Sequence, residues 1–598
     1  MSPPLSLDTF ARAASALEAH RSRRRMVELV AELLGRARPD ERAPAVYLLQ
    51  GQLRPPYEGV ELGVGEQLLI ATIASAYEVT PAEVSRRFRS LGDLGLVAEA
   101  LAPAPGHRRL TLLRAYRALL EVARTAGPGS VQGKTGRLAA LLRSASPLEA
   151  RVLVRTAQGR LRLGVGDQTI LEAAALGALG DRHRKGLIEQ AYNVRSDLGG
   201  VVQLAFAKGV RGLEAIGPEI GVPVRPALAQ RLPSAGAIIA RLGAVQAEPK
   251  YDGLRLQFHR DGDRVWAFSR RLENVTDMFP ELTEGVRRQL KVKRAILEGE
   301  AVVHDPETGE FLPFQVTMTR KRKSGIAEAS ARHPLRLFAF DLLYSGHRSW
   351  LDRPQHERSA ELRRVIRFVP GDPIVVSDLL VTDRDRDLQR YFERMIVRGL
   401  EGVVAKRLDA PYRAGARGYD WVKLKRAYES GMRDTVDLVL VGYLRGRGKR
   451  AALGIGSLLA AAYDPGHDRF RTVAKIGSGL SEAAWKDLRL RLDQRACRSR
   501  PGRVESLIEP DVWVEPTIVV EVLADEITRS PSHTCGKTGD GPGYALRFPR
   551  MLGIREDRAP ADATSEREVL DLYRQQGARG RHRGSPGTAK SRRQSAEG

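Results

Sequence analysis

Cysteine is almost absent. Cys497 and Cys535 are the only two in 598 residues, too few for a disulfide framework or a four-cysteine zinc site, which fits a reducing cytoplasm. Long apolar runs are missing as well. No stretch approaches the roughly 18 residues of a membrane helix, and Met-Ser-Pro-Pro-Leu-Ser at the N-terminus has no signal pattern, so no membrane partner is expected. Acidic charge is in deficit: 72 Asp and Glu face 97 Lys and Arg, a net charge of +25 that favours a polyanionic partner, of which nucleic acid is the usual one. Hydrophobic residues at 42% allow sizeable cores, and the length suits several domains.

Texture divides the chain. Over residues 1 to 220, apolar spacing of three and four predicts helices at Met26–Leu34, Glu66–Tyr77, Leu110–Ala123, Pro147–Arg155 and Gln168–Leu179. The run Gly159-Arg160-Leu161-Arg162-Leu163-Gly164-Val165-Gly166 can bring backbone amides to phosphates, but reads first as an ordinary helix connection. Gly221-Val222-Pro223-Val224-Arg225-Pro226 reads as an extended linker. From 221 to 430 strands dominate: a hairpin at Leu254–Phe258 and Arg264–Phe268, then Ala295–Val303, Leu335–Leu343 and Gly402–Lys406. Helices at Met278–Leu290 and His356–Ile366 make the region α+β. Residues 431 to 560 hold short strands with Gly-rich turns, including Val436–Gly442, Ile455–Tyr463, Phe470–Ile476 and Trp513–Leu523, and suggest a small β-barrel. Beyond that, a short helix at Ser565–Gln575 is expected within a basic, disordered tail over 561 to 598; residues 571 to 598 carry seven Lys and Arg against two acids.

The chemistry gathers around Lys250, in Lys250-Tyr251-Asp252-Gly253. A lysine amine can carry a nucleotide covalently if desolvation or nearby cations lower its pKa from its ordinary ~10.4. Residue types suited to nucleotidyl transfer follow in order. Arg255, Arg270, Lys423 and Lys425 can bind a triphosphate, and Glu300 and Glu401 can hold a divalent metal. Phe340 offers a flat face for a purine. Glu248 lies two residues before Lys250, on the same strand face, where it can accept from an adenine amino group. Singly, each charge reads as a solvated strand end, Phe340 as core, and Trp421 as core or lid packing. Independent solvated charges, however, have no reason to follow this order.

Together these segments resemble the covalent nucleotidyltransferase superfamily, specifically ATP-dependent DNA ligases of the archaeal and eukaryotic replicative type. The resemblance runs from about residue 20 to 558. Outside the core it is carried by Ala191-Tyr192-Asn193, Asp197-Leu198-Gly199, Pro223-Val224-Arg225-Pro226, Leu312-Pro313-Phe314-Gln315, Arg320-Lys321-Arg322-Lys323, Lys475-Ile476-Gly477 and Val512-Trp513-Val514-Glu515-Pro516. It implies an all-α N-terminal DNA-binding domain (1–220), an α+β adenylation domain (221–430) and a C-terminal OB-fold barrel (431–560). By motif, Lys250 is the adenylated nucleophile. Glu248, Arg255, Arg270, Glu300, Phe340, Arg417, Lys423 and Lys425 meet ATP, as does Arg555 of the last motif; Glu300 and Glu401 bind Mg2+. Two positions depart: Glu298 replaces the usual Asp before Gly-Glu, and Arg558 replaces a Lys.

The implied reaction has three steps. AMP passes from ATP to Lys250, then to the 5′-phosphate of nicked duplex DNA, and leaves when the 3′-hydroxyl attacks. A joint at residues 426 to 434 would let the barrel serve both ATP and DNA. A monomer is expected, with a sliding clamp as a further partner. An RNA ligase or capping guanylyltransferase fits the helical N-terminal region less well. An NAD-dependent ligase resembles a chain with a four-cysteine finger. The rival of another class is a non-catalytic nick-binding clamp.

Overall fold

The structure, a computed structural model, describes every residue except 1–2, 21, 104–109, 160, 304–310, 313, 323, 426–434, 447–453 and 582–598. The expected joint at 426–434 lies outside the described residues. Two compact units are present: Met1–Arg426 with Cys497–Arg503, and Ala427–Ala496 with Val504–Gly598. No helix among the described residues is long and apolar enough to cross a membrane.

The first unit begins with helices. Arg23–Arg36, Glu66–Tyr77, Leu112–Arg124, Pro147–Ala157 and Asp167–Leu179 occupy the predicted places. The local signals explain their starts. Pro147 stands in the first turn, and Ser146 and Glu149 bond each other's backbone amides at 3.4 and 2.8 Å. Leu198–Glu214 escaped the periodic reading because glycines interrupt it; Asp197 caps its start by accepting from the Gly200 amide at 2.9 Å. A Cβ on Gly199 would come within 2.5 Å of the Tyr47 ring, so Asp197-Leu198-Gly199 is a packing device here. Arg162, from the glycine-rich run, turns inward to the buried Asp93 at 3.4 Å, the behaviour of an ordinary connection.

The expected linker is extended, yet it is not a free spacer. Its backbone is satisfied by side chains from the next region. The Gly221 amide donates to His259 Nδ1 at 3.0 Å, and Val224 exchanges two bonds with the Gln257 side chain at 2.8 and 3.0 Å. The Ala227 amide donates to the Tyr412 hydroxyl at 2.9 Å, and the Ala227 carbonyl accepts from Arg255 at 2.7 Å. Prolines at 223 and 226 leave fewer amides to satisfy.

Eleven strands follow: β1 Leu228–Arg231, β2 Val245–Lys250, β3 Leu254–Asp261, β4 Arg264–Ser269, β5 Arg294–Val303, β6 Leu335–Ser345, β7 Arg348–Ser349, β8 Ile374–Val376, β9 Leu380–Thr382, β10 Gly402–Arg407 and β11 Arg417–Lys425. They form two sheets. One has the order β1-β11-β10-β2-β9; the other runs β4-β3-β5-β6-β7, with β8 beside β6. Helices Pro280–Gln289 and Gln355–Val365 pack on the second sheet over Phe258, Leu297 and Leu337. Helices Ala235–Leu242 and Asp385–Val397 cover the first over Val245, Val403 and Val422.

The second unit is built on an antiparallel meander of Val436–Arg445, Ile455–Asp464 and Arg469–Ile476. The strand expected over Trp513–Leu523 is two strands, Val512–Val514 and Val519–Leu523, both paired to the first strand of the meander. Pro516 between them cannot donate to a ladder. Among the described residues the sheet does not close, an arrangement compatible with an OB-fold. Within the region expected as a tail, the helix expected at Ser565–Gln575 is present and runs on to Arg581. Helix Glu566–Arg581 is anchored by buried Val569, by Glu566 with Arg471 at 2.8 Å, and by Gln576 accepting from the Ile527 amide at 2.8 Å. The burial of Val569 outweighs the polar composition that suggested disorder. Residues 582–598 lie outside the described ones.

Candidate active site

Strand register assembles the site. On β2, Lys250 pairs with Gly402 of β10 and Glu248 with Val404. Across β10, Gly402 meets Lys425 of β11, and Val404 meets Lys423. Two residues apart on one strand share a face, so Lys250, Glu248, Lys423 and Lys425 are drawn together from segments some 170 residues apart. Gly402 has φ of 146°, and a Cβ there would run into the Leu424 carbonyl. That close approach brings the preceding Glu401 beside the nucleophile candidate. Its amide donates to the Lys250 carbonyl at 3.2 Å, and its carboxylate pairs with the Lys250 amine and with Lys425, the latter at 3.2 Å. Burial and the charges of Lys425 and Lys423 hold the Lys250 amine well below its ordinary pKa, against the opposing pull of Asp252 and Glu300.

The second sheet supplies the opposite wall. Arg255 on β3 lies across from Glu300 on β5. Partial burial pushes the Glu300 carboxyl up to about 7, although Lys250, Arg255 and Arg270 favour its charged form. Gly253 is required because a Cβ would strike the Ala301 carbonyl on β5. Tyr251, between the two sheets' strands, stacks on Phe338 with centroids 4.2 Å apart. Glu298, one of the two departures from the family pattern, is a hub. Almost fully buried, it accepts from Arg255 and from the Tyr412 hydroxyl at 2.7 Å each, and from Gln257 at 3.3 Å. The longer Glu thus retains Arg255 in the site.

Aromatic rings lie beyond Glu248. Phe340 is half-buried, meets Trp421 edge to face at 6.1 Å and packs against the buried cluster that includes Tyr412 and Trp421. The Arg255 guanidinium lies 5.3 Å from the Phe340 ring centre and 5.6 Å from that of Trp421. Lys406 enters from β10 and pairs with Glu248. Lys406, Gln246, Tyr412 and Glu298 were not singled out as site residues in the sequence. Lys406 was visible only as the end of Glu401–Lys406, and Tyr412 and Gln246 carry no local signal.

Arg270 directly follows β4 and acts on Glu300 electrostatically. Of Arg417, only its place at the head of β11, opposite Leu228, is described. Arg555 belongs to the second unit. There it is held by both oxygens of Asp557 at 2.9 Å, and Asp437 forms an ion pair with nearby Arg558 at 3.2 Å. The Arg558 departure therefore keeps a carboxylate partner. One groove of about 550 Å³ is lined by Arg195, Lys208 and Arg211 of the helical region and by no residue around Lys250.

Comparisons with known proteins match this arrangement. A model of the DNA ligase N terminus covers residues 6–175, the ATP dependent DNA ligase domain covers 226–425, and the ATP dependent DNA ligase C terminal region covers 451–558. The chain is 45% identical to a probable DNA ligase of Dictyoglomus turgidum, over 94% of this chain and 96% of the relative. It is 42% identical to DNA ligase 2 of Thermofilum pendens, with the same coverage of each. It is also 42% identical to the DNA ligase of Aeropyrum pernix, over 95% and 97%. A buried lysine paired with Glu401 and near Lys423 and Lys425 of β11, in a chain that matches these proteins nearly end to end, places it in the ATP-dependent DNA ligase family.

Proposed function

We propose that Lys250 is the residue through which this ligase performs the family's reaction, the sealing of nicks in duplex DNA at the expense of ATP by way of an adenylate intermediate. The observation that carries the assignment is the amine's setting: desolvated, flanked by Lys423 and Lys425, with the Glu401 carboxylate against it. An amine so placed is unprotonated at neutral pH far more often than an ordinary lysine, and its lone pair can attack the α-phosphate. Glu401 orients it. Lys423, Lys425, Arg255 and Arg270 supply positive charge for the phosphates, and Glu300 contacts ATP. Phe340 and Trp421 form the walls of the base pocket, where Glu248 accepts from the adenine amino group. Arg417 and Arg555 complete the ATP contacts. Transfer of this kind depends mainly on position and electrostatics.

Mg2+ fits the carboxylates present. Glu300 and Glu401 are hard oxygen donors, both close to Lys250, and no cluster of three or more metal-binding side chains is found among the described residues. A cation that takes one or two carboxylates and completes its shell with water and substrate phosphate suits such a pair. When bound, Mg2+ would neutralise phosphate charge; Glu300 and Glu401 would hold it.

We assign domain limits at 220, 430 and 560, and propose a cytoplasmic monomer that works at nicked duplex DNA, with a sliding clamp as partner. The helical region supports DNA binding through its basic groove at Arg195, Lys208 and Arg211. Incubation with α-labelled ATP, GTP or NAD and Mg2+, followed by a denaturing gel, tests the assignment. Label from ATP alone is expected; label from GTP only, or none, overturns it.

The pH dependence has a definite sign. Glu300, raised to about 7, is a neutral acid below that pH, and Lys250 gains its proton as pH falls. Both changes oppose reaction. Single-turnover lysyl-AMP formation should therefore fall by about tenfold or more per unit as pH drops below 7. A rate flat from pH 5.5 to 7 would remove Glu300 from the step.

A further inference from the structure

Lys406 occupies an unusual position. Its side chain is 1% exposed; its ammonium donates to Glu248 Oε1 at 3.0 Å and to the Phe340 carbonyl at 2.8 Å, and lies 2.9 Å from Glu248 Oε2 as an ion pair. Its charge also lies 4.4 Å from the centre of the Trp421 ring and 4.9 Å from that of Phe340. Lys406 pairs in register with Gln246 on one side and Trp421 on the other, so the strands themselves set this placement. Gln246 adds a fourth tie by donating to Glu248 Oε1 at 2.5 Å.

Glu248 is thus fixed by two donated bonds, one from Lys406 and one from Gln246, and by the ion pair with Lys406. A carboxylate offers about four acceptor sites, so acceptor capacity remains for a further donor.

We propose that Lys406 is a positioning residue that decides which purine the pocket takes, by holding Glu248 as an ionised acceptor for a 6-amino purine. The inference rests on the reading of this pocket as the adenine site. Adenine presents an amino donor at C6, whereas hypoxanthine and guanine present a carbonyl acceptor there. An ionised Glu248 only accepts and suits adenine. A protonated Glu248 gains an O–H donor and suits a 6-oxo purine. The Lys406 ammonium is directed at Glu248 and the Phe340 carbonyl.

The surroundings make the ammonium necessary. Burial pushes the Glu248 carboxyl up, and Asp341 on β6 pushes it the same way, while Lys406 and Gln246 act against both. Asp341 is itself neutralised by Arg358 at 2.8 Å. The hydroxyls of Tyr251 and Tyr391 also feel Glu248, but burial keeps both phenols neutral. Lys406 is therefore the cation paired to Glu248, and without it the buried carboxyl takes a proton at neutral pH.

The test compares label transfer to the full chain from α-labelled ATP and α-labelled ITP in single turnover, at pH 6.5 and pH 9. The wild type should prefer ATP at both. In Lys406→Met the preference should fall by on the order of tenfold or more at pH 6.5 and recover in part at pH 9. An unchanged preference at both pH values, or an equal loss at both, overturns the proposal, because a merely structural role would not titrate. If Lys406→Met does not fold, Glu248→Gln and Glu248→Gln/Lys406→Met decide. Their ATP-to-ITP ratios should be equal, since Lys406 acts through a charge already removed; a further tenfold change in the double variant overturns it. A wild type without preference for ATP would instead sink the adenine reading itself.

Discussion

Lys250→Ala should lose the labelled adenylate adduct by at least ~10⁴-fold while retaining affinity for nicked duplex DNA. The Lys250 amine combines desolvation with two nearby cations. Lys423 and Lys425 lie across β10, on the partner strand, and Lys425 is paired to Glu401. Lys250→Arg should lose the adduct equally, because a guanidinium stays protonated and cannot attack. Folding should survive: removing the amine relieves repulsion with Lys425 and Lys423, and Glu401 keeps Lys425 as its partner. The measurement is label on a denaturing gel beside a gel-shift with nicked DNA. An adduct that persists in Lys250→Ala would move the nucleophile elsewhere.

The second large effect concerns stability. Arg358 and Asp341 are both 0% exposed and share two bonds, at 2.8 and 3.1 Å. Arg358 also donates to the Arg353 carbonyl at 2.7 Å, to the Ala410 carbonyl at 3.0 Å and to Gln355. It therefore joins the helix Gln355–Val365, the strand that carries Phe340, and the loop leading to Tyr412. Arg358→Met leaves the Asp341 charge buried with one backbone amide, that of Leu342, as donor. Breaking such a pair from one side costs about 3–5 kcal/mol. Asp341→Asn in the same chain should recover part of it, since no charge then remains to bury. KM for ATP should rise in Arg358→Met, because Phe340 and Tyr412 lose their common support. Denaturant unfolding of the three chains checks the first claim. Wild-type stability in Arg358→Met would show that the pair contributes nothing net.

Much of the architecture was legible without coordinates. Helix Glu66–Tyr77 announced itself because Leu69, Ile70 and Ile73 repeat at helical spacing, and Pro147–Ala157 because Ser146 and Glu149 cap its start locally. The helix Leu198–Glu214 did not, since Gly199, Gly200 and Gly209 serve packing and a kink rather than propensity. The helix at Glu566–Arg581 ran past its expected end because its anchors, Arg471 and Ile527, belong to distant strands. The open sheet of the second unit likewise follows from pairings among strands separated by loops, which no local pattern records.

The site divides in the same way. Lys250, Glu248, Arg255, Glu300, Glu401 and Lys423 could be named from residue type, order and strand parity, because alternation along a strand is a property of the local chain. Register is not local. It is set when β10 inserts between β2 and β11, and only then does Glu401 meet Lys250 and Lys406 meet Glu248. The roles of Tyr412, Glu298 and Arg358 depend on which buried polar group lies within hydrogen-bond reach of which other, across more than a hundred residues in the case of Glu298 and Tyr412. Burial makes those partnerships obligatory, since an unpaired polar group away from water is costly. The chain's own order therefore determined the family, the proposed nucleophile and the sign of the charge around it. The three-dimensional packing alone decided which groups surround that amine and Glu248, because register and burial bring Glu401, Lys406 and Gln246 to them.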